Sequence, residues 1–150
     1  MRAVMLALLL LTCVGQTQGV AAEKVWRVGL LSNGPSPRGT GRSWRDGLVD
    51  VLSQNGFELG KNVEIVDRYS EGYVDKLPQL AGEINLAGVD VIMAISSPSV
   101  RAVFSATSKT PIVSIGSDPV VDGFADSFAH PGGRVTGMMY QTTEADPKRL

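Results

Sequence analysis

The residues able to do chemistry are few, small and polar. Ser32-Asn33-Gly34, Ser96-Ser97-Pro98-Ser99 and Ser117-Asp118-Pro119 each follow a short apolar run. Side chains this small let backbone N–H groups approach a ligand, and hydroxyls add adaptable hydrogen-bonding groups. A helix beginning beyond such a turn favours an anion. Ser99, just after Pro98, stands where a helix N-cap is expected, so a ligand carboxylate there needs no buried cation. Asp118 is placed to accept from an ammonium group. Serine and aspartate in these positions also serve as plain helix caps and turn formers, so each residue alone has a structural reading beside the functional one.

Other chemistry is poorly supported. Gly34 to Gly39 has the glycine spacing of a phosphate loop, but Thr40-Gly41 replaces the Lys-Ser/Thr pair that would meet the β- and γ-phosphates. Gly39-Thr40-Gly41 opens like a dinucleotide fingerprint, yet Trp44 occupies its third glycine position. His130 is the single histidine and precedes Pro131-Gly132-Gly133, a loop setting without partners for a metal site or triad. Glu58, Glu64, Asp67, Glu71 and Asp75 read as solvated charges, and Tyr69 and Tyr73 flank a loop. No catalytic residue, metal site or cofactor is expected.

Elements of one kind position these turns. Val25–Ser32, Asn62–Tyr69, Asp90–Ile95, Pro111–Ile115 and Val135–Met139 read as strands. Asn62–Tyr69 alternates apolar and polar residues, as an edge strand does. Asp90–Ile95 is continuously apolar, as a strand buried on both faces would be. Between strands, Trp44, Leu48, Val51 and Leu52 share one helical face, closed by Asn55-Gly56. Leu77, Leu80, Ala81, Ile84 and Ala87 keep helical spacing over Val74–Ala87, and Val100, Val103 and Phe104 follow the serine turn. A short helical piece is expected after Pro119. Strand–helix alternation implies an α/β fold: a doubly wound parallel sheet with right-handed crossovers and helices on both faces. Ligands of such sheets bind beyond the carboxyl ends of the strands, where strand order reverses. With a flavodoxin-like order, that point lies between the first and third strands.

The 150 residues suffice for one domain with a real core, and an apolar fraction of 43% argues against disorder. Net charge is −1 and basic residues are scattered, so no nucleic-acid surface is expected. The first 22 residues differ in kind. Met1-Arg2 precedes an apolar run from Ala3 to Val14, and Val20-Ala21-Ala22 offers a signal-peptidase site. Residues 1–22 therefore read as a signal peptide, and the protein as periplasmic or extracytoplasmic. Cys13, the single cysteine, follows Leu10-Leu11-Thr12 in an approximate lipobox. Lipidation at Cys13 is thus an alternative, but Thr12 replaces the usual small residue, so cleavage after Ala22 is preferred.

From Trp26 to Leu150 the chain resembles the N-terminal half of the ABC-transporter substrate-binding proteins related to tryptophan- and aromatic-amino-acid-binding lipoproteins. The carrying motifs are VGLLS, WRDGLVDVLSQNGFELGKNVEI, ISSPSV and, most specifically, SDPVVDGFADSFAHPGGRVTG. The resemblance implies a type I periplasmic-binding-protein-like N-terminal lobe over residues 23–140. Residues 141–150 would then begin a crossover to a second lobe absent from this chain, which looks truncated beside a family about twice its length. The implied function is solute capture for an ABC importer: a small, amino-acid-like molecule is bound and delivered to a membrane permease. First-lobe contacts would fall at Ser32, Asn33, Ser96, Ser97, Ser99, Ser117 and Asp118, the turns already reached from the strand-end rule. A ligand-sensing domain of a receptor or regulator with the same fold is the alternative.

Overall fold

The computed structural model describes residues 24–38, 42–127, 130 and 132–139. The proposed signal segment, Cys13 and the proposed crossover at 141–150 lie outside the described residues. Five strands form one parallel sheet: β1 (Trp26–Ser32), β2 (Val63–Tyr69), β3 (Val91–Ile95), β4 (Ile112–Ile115) and β5 (Val135–Met138). Their order is β2-β1-β3-β4-β5. It reverses between β1 and β3, as the flavodoxin-like reading expected, and all strands end at one rim.

The helices are α1 (Trp44–Gln54), α2 (Leu77–Leu86) and α3 (Ser97–Ala106). Local sequence explains where each starts. Ser43 and Asp46 exchange backbone and side-chain hydrogen bonds in a capping box at α1. A 3-10 turn, Val74–Lys76, leads into α2, which has Pro78 in its first turn. The single helix expected over Val74–Ala87 is thus a tighter turn followed by a shorter helix.

The core lies where α2 and α3 cover the sheet. Leu31, Ile92, Ala94, Ile112 and Val135 pack there against Leu77, Ala81, Ile84, Val100 and Val103. Gly29 allows the helix to come close, because a Cβ there would stand 2.7 Å from Cγ2 of Ile84. Arg134, at the start of β5, secures the far end of α3. Its guanidinium donates to Oγ1 of Thr107 at 2.6 Å and to the carbonyl of Thr107 at 2.7 Å, and it lies 4.3 Å from the Phe104 ring centroid. The last carbonyls of the helix thereby gain partners and a cation at the negative end of the helix dipole.

Three expectations change. β3 is not buried on both faces: Ile92 and Ala94 are buried, but Val91, Met93 and Ile95 are only partly so. α2 and α3 seal one side, whereas α1 lies on the other side, beside β2. Arg45 of α1 is 3.6 Å from Asp67, and Val49 and Leu52 line a pocket with Val63 and Ile65. The apolar face read for α1 is divided, with Leu48 and Leu52 partly buried and Trp44 and Val51 exposed. Beyond Pro119 the chain makes turns rather than a helical piece. Oδ1 of Asp118 takes the N–H groups of Val120 and Val121, and Gly123 turns away with φ +77°.

Candidate functional site

The three polar turns meet at the rim because β1, β3 and β4 are neighbours that end in register. Ser32 pairs with Ile95, and Ile95 with Ile115. The residues that follow these three positions are Asn33, Ser96 and Gly116.

At the β1 end, Oγ of Ser32 accepts from the N–H of Gly34 at 3.1 Å, and Ser32 is buried. Asn33 is part-exposed. Its Oδ1 accepts from the hydroxyl of Ser70 at 2.8 Å, and its carbonyl accepts from the N–H of Gly72. The turn after β2 thus holds the turn after β1. Glu71 extends the link by taking the N–H and hydroxyl of Ser36 at 3.0 and 2.6 Å. Those two bonds from Ser36 hold its carboxyl below the usual range. Nearby, burial and the Asp67 carboxylate push the Tyr69 phenol up to about 12, so it remains protonated.

At the β3 end the helix cap differs from expectation. Ser96, not Ser99, is the N-cap of α3, and its backbone sits at φ 83°, ψ 151°. A non-glycine residue in this region costs of order 1–3 kcal/mol and persists only where surroundings impose it. Here its N–H is held by the carbonyl of Ile115 at 2.8 Å, and its own carbonyl takes the N–H of Val100. Pro98 contributes no donor, so the N–H groups of Ser97 and Ser99 open the helix. Ser99 is fully buried, its hydroxyl 3.3 Å from that of Ser96. Ser96 and Ser97 are part-exposed.

At the β4 end, Ser117 is buried and donates its hydroxyl to Oδ2 of Asp122 at 2.8 Å. Asp118 is part-exposed, with Oδ1 committed to its own turn. Asn33, Ser96, Ser97 and Asp118 therefore reach the surface, while Ser32, Ser99 and Ser117 stand behind them. Asp122 and Arg101 were not foreseen. They form an ion pair at 2.8 Å across 21 positions of sequence, and no motif or spacing announces it. A groove of ≈ 620 Å³ runs along α3 from Ser97 to Ala106, beside Val74, Leu77 and Pro78 at the approach to α2, and shares Ser97 with the rim.

This arrangement offers backbone and hydroxyl groups for a small polar solute, with one carboxylate at the β4 side. Among the described residues no group of His, Cys, Asp and Glu is placed to hold a metal ion, and no helix is long and apolar enough to cross a membrane.

Comparison with known proteins points the same way. The family model described as ABC transporter substrate binding protein matches residues 40–147. A tyrosine-binding protein of Clostridioides difficile is 31% identical over 94 residues, covering 62% of this chain and 27% of the relative. A ligand-free, open substrate binding protein with adhesive properties from Clostridium difficile superposes with a TM-score of 0.67 at 30% identity, covering 77% of this chain and 39% of that one. An ABC domain in complex with L-Trp from Streptococcus pneumonia gives a TM-score of 0.67 at 25% identity with the same coverage. The chain thus spans well under half the length of these relatives.

Proposed function

This chain belongs to the family of ABC transporter substrate binding proteins, and from that membership we propose that it captures a small amino-acid-like solute outside the cytoplasm and delivers it to an ABC permease. The observation that carries the reading is the rim itself. Three polar turns lie together at the end of the sheet where strand order reverses, the place where open α/β sheets bind ligands.

In this reading the described lobe forms one wall of a cleft. Ser96 and Ser97 receive the carboxylate of the solute, with the opening N–H groups of α3 behind them. Asp118, which has a second carboxylate oxygen to offer, receives the ammonium group, and Asn33 contributes its amide. Ser32, Ser99 and Ser117 hold these groups in place from within. The solute is released unchanged to the permease. Residues 1–22 direct export, with Cys13 as the point of attachment should a lipid anchor form. Residues 141–150 lead towards a second lobe that closes the cleft.

Thermal unfolding with and without L-tyrosine and L-tryptophan tests the proposal. A ligand at about 100 times its Kd stabilises a native protein by about 2.7 kcal/mol. Millimolar amino acid should therefore raise the unfolding temperature, and the combined S97A and D118A substitutions should remove that rise. A rise that persists in the double variant would exclude this site, and no rise with either amino acid would count against amino-acid capture.

A further inference from the structure

We propose that Ser70, just beyond β2, is a positioning residue of the solute site: its hydroxyl occupies the amide oxygen of Asn33 and leaves the amide N–H groups of Asn33 to meet the carboxylate of a solute. The inference rests on the solute-binding reading above and deepens it.

The turn beyond β2 is given over to holding the turn beyond β1. The N–H groups of Ser70, Gly72 and Glu71 donate to the carbonyls of Ser32, Asn33 and Gly34 at 3.0, 2.8 and 3.2 Å. Glu71 adopts φ 55° within this turn, and such backbone at a residue other than glycine persists only where its surroundings impose it. Ser70 itself has no exposure. Its hydroxyl donates to Oδ1 of Asn33 at 2.8 Å and lies 3.2 Å from the carbonyl of the same residue, while its own carbonyl takes the N–H of Tyr73. A hydroxyl buried this completely against one side chain fixes the rotation of that side chain.

A side-chain amide has one accepting oxygen and two N–H donors. With its oxygen turned to Ser70, the part-exposed Asn33 keeps both donors, and its Nδ2 has no hydrogen-bond partner among the described residues. The carbonyls of Ser32, Asn33 and Gly34 each accept from the β2 turn, so this end of β1 offers donors rather than acceptors. Register places those donors well. Ser32 pairs with Ile95, so Asn33 lies beside Ser96, where α3 opens with the N–H groups of Ser97 and Ser99. Two sets of donors from neighbouring strand ends thus stand side by side for one anion, without a buried cation. Were the amide turned over, its oxygen would face the solute and suit an ammonium group. The orientation imposed by Ser70 therefore decides which end of the solute this wall receives.

Titration of the protein and its variants with L-tryptophan, indole-3-propionate and tryptamine, followed by NMR of the rim amides, decides the matter. Ser70→Ala should weaken L-tryptophan and indole-3-propionate about fivefold and leave tryptamine, which has no carboxylate, within about twofold. Asn33→Ala should weaken the same two about tenfold, and adding Ser70→Ala to it should change nothing further, as for two residues acting through one interaction. Ser70→Cys, with a similar shape and a weaker donor, should give the first pattern in smaller measure, and it carries the test if Ser70→Ala does not fold. Equal weakening of all three ligands overturns the proposal, because Ser70 would then only hold the fold. A loss confined to tryptamine also overturns it, since Asn33 would then present its oxygen. Additive losses from the two alanine substitutions do the same, because Ser70 would then act apart from Asn33. A wild-type rim that responds to none of the three overturns the solute reading and this assignment together, whereas undiminished binding of L-tryptophan by Ser70→Ala overturns the assignment alone.

Discussion

The two faces of the sheet are built differently although the same strands supply both. On one face α2 and α3 leave Ile92, Ala94, Ile112 and Val135 with no exposure. On the other, α1 lies beside β2, while Met93, Ile95 and Val113 remain part-exposed and Met138 is 63% exposed. The sealed face holds most of the apolar burial that stabilises the fold, at roughly 25 cal/mol per Å². The half-covered face contributes less, and α1 on it depends more on its capping box. The rim belongs to neither face. Polar contacts between turns hold it, so its geometry can change without repacking the core.

The contrast is open to direct test in adjacent residues of one strand. Ile92→Ala on the sealed face should destabilise by about 2–5 kcal/mol, and Met93→Ala on the other by about 1 kcal/mol or less. Urea unfolding of the two variants would show it, and equal losses would break the comparison. A smaller effect is expected where the sealed face ends. Arg134→Met removes the guanidinium that satisfies the carbonyls of Phe104 and Thr107, and should cost about 2 kcal/mol. Hydrogen exchange in the last turn of α3 should accelerate with it, and Arg134→Lys should restore part of the loss.

The smallest effect concerns α1 and acid. The backbone N–H of Ser43, then its hydroxyl, hold the Asp46 carboxyl below the usual range. A folded pKa below the unfolded one means the contribution is complete above the ordinary aspartate value of about 3.9 and is lost as pH falls through the lower folded value. Amide exchange in α1 should therefore rise on acidification below about pH 4, before β3 and β4 respond. In an Asp46→Asn variant that pH dependence should vanish. Its persistence would assign the acid response to another carboxylate.

Much of the fold was legible in the residues. Asp90–Ile95 and Pro111–Ile115 read as strands because inner strands of a parallel sheet need apolar side chains, and the observed strands begin one residue later, at Val91 and Ile112. Leu77, Ala81 and Ile84 showed the buried stripe of α2 by their spacing. The rim turns were legible as small polar residues at strand ends. The α1 face was misread, because helical spacing groups Trp44 and Val51 with Leu48 without saying how much of that face a sheet will cover. The cap of α3 was displaced by three residues, since Ser96, Ser97 and Ser99 are all acceptable caps by type and only the backbone at φ 83° distinguishes them.

What the sequence determined by itself was local: which segments are strands and helices, their alternation, and hence the parallel α/β class. Such properties follow from the 2.0 and 3.6 periodicities, which any segment carries within its own length. Tertiary structure alone decided the partners of the polar groups: Asp122 with Arg101 and Ser117, Asn33 with Ser70, and Arg134 with the end of α3. A hydrogen bond acts over about 3 Å, whereas these partners are brought together by strand order and register. Burial, too, was settled by which face each helix covered, and so the same apolar run in β3 is dry on one side and partly wet on the other.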